Sequence, residues 1–510
     1  MLQLVLGGSG SGKTTLLYHR IRARAEAGQK SILLVPEQFT SSTEGRIYRE
    51  LGDALSGMVE SFSFTSLAEK ILSVEGGAAV QTLSDAGRAV LVRRALEELQ
   101  ENVHYYYRNR RSAAFCQMAA ETIDELKSAG LSGQQMADLA KGCGAESGKL
   151  GELALIFQGY ETLLARSGMD PADRLELAGA RLEEALACGT VPEFLKEREV
   201  FIDEFDTFNA PKKRLLGALL AALPRVTVAL CDDGAPLVPG DVSLFSGAKQ
   251  VAVQLRQLAR KNGAEVAAPQ LLRRDLRHTE APGLAAVTAL LETGTCAPLE
   301  APADEVRLFA APSREEEARA AAIRRLMRQG VRCGRIAVVC RDIGKYRAAV
   351  RYEFRMAGIP LYCDEPTTPE FSAPATAVRA LLALARGADL TENLTTLAKT
   401  GLCALTEEEV CALENYAYTW SPNAAAWRAA FRNDPKGFGD RELTEEDARN
   451  LSDAEKARAL LVNAADALRG KVRNANAEAI SRALYFCLRE LGAEEQQAAQ
   501  VEAIRAARGI

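Results

Sequence analysis

Histidine is scarce in this chain of 510 residues, with three in all, and the eleven cysteines form no Cys-x-x-Cys. The closest cysteine pair is Cys333 and Cys340. The clustered Cys/His spacing that builds a zinc or iron–sulfur site within one segment is therefore missing, and the scattered thiols read as reduced and mostly buried. Long apolar runs are missing too. The longest, Leu215 to Leu223, is short and rich in alanine, against the ~18 residues that a membrane span needs. No basic region followed by an apolar stretch opens the chain, so no secretory signal is expected, and the expected setting is cytoplasmic with no membrane partner. An excess of either charge is also lacking: 63 Lys and Arg against 68 Asp and Glu leave a net charge of −5, which excludes a polybasic coat protein. The remaining composition, 47% hydrophobic and 26% charged, is that of a globular protein, long enough for three to four domains of ~150 residues.

What is present alternates. Leu2 to Leu6 is an apolar run that stops at Gly7-Gly8, and a helical pattern follows from Lys13 to about Ala27, which reads as strand, loop, helix. Ser31 to Val35, Val59 to Phe62, Val200 to Asp203 and Val226 to Cys231 complete five expected strands in two clusters. This predicts a parallel α/β sheet. Between the clusters, Leu83 to Val191 keeps helical periodicity, so an all-helical insertion into one sheet is expected. A second α/β unit is expected from Pro302, with strands at Val306 to Ala310 and Ile336 to Cys340 and a helix capped by Ser313. From about Pro366 the pattern is helical. The expected division is 1–82, the first α/β domain with its glycine loop; 83–190, the insertion; 191–300, the remainder of that domain; 301–365, the start of a second; and 366–510, a helical domain. Residues 475–510 offer no closing strand, and the chain reads as part of a longer protein.

The strongest motif is Gly7-Gly8-Ser9-Gly10-Ser11-Gly12-Lys13-Thr14, a full match to G-x-x-x-x-G-K-[ST] between a strand and a helix. Its glycines let backbone N–H groups turn inward around phosphates, and the helix adds its positive end. Gly7 to Thr15 are thus the expected ATP-binding residues, with Lys13 reaching the β- and γ-phosphates and Thr14 ligating Mg²⁺. Val200 to Glu204 supplies the carboxylates that hydrolysis needs: Asp203 for Mg²⁺ and Glu204 as general base. The alternative, an acidic strand end in solvent, is the weaker reading beside the glycine loop.

The order of these pieces resembles superfamily 1 helicases of the UvrD/RecB kind, and more narrowly the AddB family, the second subunits of AddAB-type helicase-nucleases. Residues 1–14 are similar to the AddB opening, and Val35-Pro36-Glu37-Gln38-Phe39-Thr40 to its next motif. Ser63-Phe64-Thr65-Ser66-Leu67-Ala68 resembles motif Ib, and Asp203-Glu204-Phe205-Asp206-Thr207-Phe208 resembles motif II. Glu125-Leu126-Lys127 and Met169 to Asp173 are similar to signatures of the AddB helical insertion, Ile336 to Asp342 to the start of a second RecA-like domain, and Lys399 to Leu402, Leu413 to Tyr416 and Trp420 to its helical region.

The resemblance implies P-loop, RecA-like domains that use ATP and Mg²⁺. It implies DNA as a partner, as double-strand ends and single strands, with Ser63, Thr65 and Ser66 at strand phosphates. It also implies a heterodimer with an AddA-type helicase-nuclease that processes breaks for homologous recombination and recognises a hotspot sequence. Arg341 falls at the position of the motif IV arginine, where it either approaches the γ-phosphate or pairs with a nearby carboxylate. Family members carry their nuclease motif and the cysteines of an iron–sulfur cluster far toward the C-terminus, so no ligand or nuclease carboxylate is assigned in these residues.

Two departures bear on activity. Cys231-Asp232-Asp233-Gly234-Ala235-Pro236 stands where a helicase carries a Gly-Asp-x-x-Gln-Ser motif, so the γ-phosphate-sensing Gln is missing, and Phe205 replaces a common Gln of motif II. Apart from the resemblance, His104 to Arg111 interleaves tyrosines with Arg108, Arg110 and Arg111, which suits DNA stacking and phosphate contact and equally suits a solvated face over packed tyrosines. Three functions remain: an ATP-hydrolysing subunit, a pseudo-helicase in which nucleotide only locks DNA-bound domains, and a P-loop small-molecule kinase, for which several hundred extra helical residues are unusual.

Overall fold

The computed structural model describes residues 1–510 apart from 78–80, 301, 320–326, 364–371, 440–441 and 509–510. It separates into two compact units, Met1–Leu308 and Phe309–Ile510. The expected boundary near Pro366 lies outside the described residues.

The first unit runs β1 (Leu2–Gly7), α1 (Lys13–Glu26), β2 (Ser31–Leu34), α2 (Thr40–Ser56), β3 (Val59–Phe62), α3 (Phe64–Glu75), α4 (Asp85–Glu98), α5 (Ala113–Ser128), α6 (Gly133–Ala140), α7 (Ser147–Ser167), α8 (Pro171–Ala187), β4 (Glu199–Ile202), α9 (Ala210–Ala222), β5 (Arg225–Cys231), α10 (Ser246–Lys261), β6 (Gln270–Leu272) and α11 (Pro282–Thr293). All six strands pair in parallel, in the order β3-β2-β4-β5-β1-β6. Side chains alternate across a strand, and both faces of this sheet are covered. Leu2, Leu4, Leu6, Ile32, Leu34, Val200, Ile202, Val226, Val228 and Leu230 pack on one face with α3, α8, α9 and α10. Val5, Leu33, Phe201 and Ala229 pack on the other with Leu17, Tyr18 and Ile21 of α1 and Ile47 and Leu51 of α2. Burial on both faces is why these strands read as continuous apolar runs.

The insertion has a core of its own, built by α4, α5, α6 and α7 around Val92, Leu96, Ile123, Phe157 and Tyr160. Its last helix differs from expectation. Leu175, Ala178 and Leu182 of α8 belong to the sheet's core, so α8 is a covering helix of the sheet and the tie between the two. The tie is ionic as well as apolar: Lys127 Nζ on α5 meets Asp170 Oδ2 at 2.8 Å and Asp173 Oδ2 at 2.7 Å, and Tyr160 donates to Asp170 Oδ1 at 2.7 Å. Both fragments that resembled insertion signatures therefore meet in one buried cluster.

In the second unit, α12 (Arg314–Ala318) and α13 (Ile343–Met356) precede a helical bundle: α14 (Ala373–Ala385), α15 (Leu390–Ala398), α16 (Glu407–Trp420), α17 (Ala424–Arg428), α18 (Glu445–Val472), α19 (Ala477–Glu490) and α20 (Ala493–Arg508). Its core centres on fully buried Trp427 with Leu381, Leu394, Leu397, Leu413 and Leu461. The strands expected at Val306 to Ala310 and Ile336 to Cys340 are not formed among the described residues. A strand needs a hydrogen-bonded neighbour to exist as one. Without a ladder here, Leu308 is fully exposed and Val339 is 91% exposed.

Candidate nucleotide-binding site

Between β1 and α1 the chain turns through two left-handed residues, Gly10 (φ 76°) and Gly12 (φ 89°), a conformation that glycine adopts without strain. Gly12 is the N-cap of α1 and supplies no side-chain cap, and the first turn holds no acidic residue, so no side chain competes for the helix's leading N–H groups. Lys13 folds back over the loop and donates to Gly7 O (2.8 Å) and Gly8 O (2.7 Å). Ser11 Oγ is buried and lacks a hydrogen-bond partner. Such an orphaned polar atom inside a ring of glycines is what a phosphate-binding loop has to offer an anion. Ser9 and Thr15 are exposed at the loop's rim.

Asp203 follows the end of β4, which is separated from β1 by β5, so the carboxylates do not sit on a strand adjoining the loop strand. They approach it nevertheless: Asp203 lies near enough to feel the Thr14 hydroxyl and the Lys13 charge, both of which favour its ionised form. Burial raises the Asp203 pKa, opposed by the nearby Thr14 hydroxyl, by the Glu204 N–H (3.0 Å to Oδ1) and by Lys13. Mg²⁺ on a nucleotide takes one or two protein oxygens and fills its remaining positions with phosphate and water. The Thr14–Asp203 pair fits that demand, and among the described residues no group of three His, Cys, Asp or Glu forms a protein-only metal cage.

Glu204 stands at φ 65°, left-handed without being glycine, a conformation that costs about 1 kcal/mol or more. Partial burial and then the Asp203 charge raise its pKa, opposed by Arg46. Arg46 lies over the Tyr18 ring at 4.9 Å, and burial pushes the Tyr18 phenol up to about 12, with Asp203 and Glu204 adding to the shift. Arg46 on α2 is thus a cation of the site that had no motif to announce it.

The Phe205 substitution has a packing explanation. Its ring meets Phe64 edge-on at 5.2 Å and stacks on Phe208 at 5.5 Å, with Lys212 Nζ 5.6 Å above it. Where the motif this stretch resembles has a polar Gln, Phe205 adds core that joins the end of β4 to the start of α3. Ser63 and Ser66 form the capping box of α3, Ser66 N donating to Ser63 Oγ (3.1 Å) and Ser63 N to Ser66 Oγ (2.8 Å), and Ser63 is buried. Thr65 between them is exposed. At the end of β5, Asp232 is 2% exposed, donates its N–H to Gly7 O (3.2 Å), and is raised in pKa by burial.

The segment after β6 is a part of the site that no motif foretold. Leu276 N donates to Gly10 O (3.0 Å), Arg277 Nη1 stands 3.5 Å from Ser9 Oγ, and His278 Nδ1 pairs with Asp275 Oδ2 at 2.8 Å. This strap lies across the loop and brings Arg277 to its rim. Three-residue β6 has too few positions to show a period, so nothing in the sequence marked the strap beyond it. Arg341, the arginine expected at the γ-phosphate, belongs to the second unit, where it lines a cleft with Arg314, Glu317 and Tyr346.

In the insertion, Glu152 accepts N–H bonds from His104 (2.9 Å), Tyr105 (2.8 Å) and Tyr106 (3.4 Å), which curls the basic loop around a buried carboxylate. Tyr106 stacks on Phe115 at 5.7 Å, and Arg110 covers the Tyr107 ring at 3.9 Å. Arg108 and Arg111 stay exposed, as does Tyr105. In the second unit Tyr416 is buried, stacked on Phe431 at 4.0 Å, as core packing requires.

Residues 4–288 match the family model described as ADDB, N-terminal. The chain belongs to the AddB family. Among its curated relatives, an ATP-dependent helicase/deoxyribonuclease subunit from Moorella thermoacetica is 30% identical over 98% of this chain and 44% of its own length. Proteins of the same description from Desulforudis audaxviator and Symbiobacterium thermophilum are each 30% identical, over 84% and 89% of this chain and 37% and 40% of their own. The chain therefore spans less than half the length of these AddB relatives. No described helix is long and apolar enough to cross a membrane.

Proposed function

We propose that this AddB chain carries the ATP-Mg²⁺ site and part of the DNA path of a helicase-nuclease subunit. It would act in the cytoplasm as a heterodimer with an AddA-type partner, on double-strand breaks destined for homologous recombination, and help to recognise the hotspot sequence. In this reading 1–82 and 191–300 form one RecA-like domain, 301–365 begin a second, and any nuclease motif or iron–sulfur cluster belongs to residues outside 1–510. The observation that carries it is a glycine loop whose lysine is held by its own carbonyls around an orphaned Ser11 hydroxyl, with the buried Asp203 carboxylate near enough to feel Lys13 and Thr14.

With nucleotide bound, Lys13 would exchange Gly7 O and Gly8 O for phosphate oxygens, and Thr14 and Asp203 would be the residues to hold Mg²⁺, which would neutralise phosphate charge. Glu204 takes the proton of the attacking water. Arg277 is the first unit's own cation at the rim. DNA phosphates meet Thr65, near the capped serines Ser63 and Ser66, and Arg108, Arg110 and Arg111. The test is nucleotide affinity and DNA-stimulated turnover of the chain with Lys13→Ala and Glu204→Gln: the first should abolish binding, the second turnover alone. Wild-type affinity in Lys13→Ala would remove the site.

A second reading, a nucleotide lock without turnover, is favoured by the exposed Ala235 after β5, at the position where a sensing Gln would stand. It predicts DNA affinity that rises with ATP in a chain showing no hydrolysis, and equal affinity with and without ATP contradicts it.

A further inference from the structure

One carboxylate in the first unit presses on the glycine loop without belonging to any motif. Glu292 lies in the last turn of α11, and a Cβ placed on Gly8 would lie 2.6 Å from its Oε1 and 3.2 Å from its Oε2. The space in front of Gly8 is thus filled by an anionic oxygen pair. The strap leading into α11 is seated on the same loop: Arg277 Cβ and Asp275 Oδ1 would each lie 2.8 Å from a Cβ on Gly10, and Leu276 Cδ1 3.2 Å from one on Gly12. Gly8, Gly10 and Gly12 are therefore needed for the close approach of the strap and α11 as well as for the turn. Cys231, whose strand position pairs with Gly7, feels the charges of both Lys13 and Glu292, which places the two side chains at one end of the site. The face of α11 that carries Leu284, Val287 and Leu291 is exposed, so little apolar packing holds the helix down beyond its contacts with the loop and its neighbours.

A carboxylate against a phosphate loop puts negative oxygens where a phosphate would place its own, and like charge repels the real group. We propose that Glu292 is a specificity-determining residue of the nucleotide site, occupying the side of the loop that a terminal phosphate needs. With the strap seated, the loop accepts a diphosphate in preference to a triphosphate, and ATP is admitted fully when α11 withdraws. This rests on the nucleotide reading given above and adds to it a built-in discrimination against the third phosphate.

The test is titration of the chain with ATP and with ADP, each in Mg²⁺, by calorimetry, using wild type, Glu292→Gln and Glu292→Ala, with circular dichroism melts to show that each variant is folded. Removing one like charge beside the phosphates should tighten ATP about tenfold and ADP by about twofold or less. Glu292→Ala, which also vacates the space, should move the ratio in the same direction. If wild type binds both nucleotides and the ATP-to-ADP ratio is unchanged in both folded variants, the gate is overturned while the nucleotide site stands. If neither wild type nor the variants bind either nucleotide, the site itself falls and the gate falls with it.

Discussion

The Lys127 cluster puts a number on the bond between the insertion and the sheet. The lysine side chain is 8% exposed and Asp170 2% exposed, whereas Asp173 keeps a third of its surface in water. Burial opposes the lysine's charge, but Asp173 and Asp170 outweigh it and hold its pKa above the ordinary value. Lys127→Ala would strand Asp170 in the interior with the Tyr160 hydroxyl as its remaining side-chain donor among these groups, while Asp173 can relax toward solvent. Stripping one partner from a buried pair costs about 3–5 kcal/mol, and the solvation of Asp173 places this case near ~3. Against a total of ~5–15 kcal/mol for a domain, that is a large fraction. In urea, with a slope of about 2 kcal/mol/M, the unfolding midpoint of the insertion should fall by about 1.5 M. Because the chain has two units, the readout should be local: hydrogen exchange of α5 to α8 amides across a urea series, with α14 to α19 as the internal reference. The triple variant Lys127→Met, Asp170→Asn, Asp173→Asn removes every charge at once and should recover to within about 1 kcal/mol of wild type. A single-variant loss under about 1 kcal/mol, or a triple variant as unstable as the single, would refute the claim that charge burial ties α5 to α8.

Other outcomes rest on the same physics. Asp203 has a raised folded-state pKa, so its stabilising contribution is complete below the unfolded pKa and disappears as pH climbs through the folded one. Asp203→Asn should therefore raise the melting temperature of the first unit at pH 7 by a few degrees while removing Mg²⁺-dependent turnover, and a fall in that temperature contradicts it. If Glu204 is the base, turnover should rise with pH through an apparent pKa above the usual glutamate value, and an acid limb centred at or below that value counts against the role. Trp427→Ala, at a fully buried ring whose Nε1 donates to Thr391 Oγ1 at 2.8 Å, should destabilise the second unit by about 3–5 kcal/mol and leave nucleotide affinity alone, checked by calorimetry on both. Replacing Arg108 and Arg111 with Ala should flatten the salt dependence of DNA binding by about 0.7–0.9 per residue; an unchanged slope would take both arginines off the DNA path.

Much of the site was legible because its chemistry is local in sequence. Gly7 to Thr14 is one uninterrupted string, and the glycine positions state a backbone requirement, two left-handed turns at Gly10 and Gly12, that holds in any fold supplying a strand before and a helix after. The five longer strands were legible because burial on both faces leaves an unbroken apolar run. Motif II was readable as a pair of carboxylates, although which strand would stand beside the loop was not, since strand order depends on crossovers that no short window contains. The strap after β6, Arg46 beside Glu204 and Glu292 at Gly8 were invisible for one reason: each acts from a surface helix or loop whose sequence is ordinary. The two expected strands near residues 306 and 336 were misjudged because an apolar run records the wish to be buried and says nothing of whether a neighbouring strand is there to bond it.

By itself, then, the sequence determined the glycine loop between strand and helix, the carboxylate pair after β4, the parallel sheet and the AddB resemblance, all of them written in contiguous residues whose spacing is the physics. Only the tertiary structure decided what meets the loop. It put α8 in the sheet's core, joined Lys127 to Asp170 over 43 positions, turned Ser63 and Ser66 into a helix cap, and seated Arg277 and Glu292 on the glycines. Charges and close approaches act through space, and distance along the chain carries no record of them.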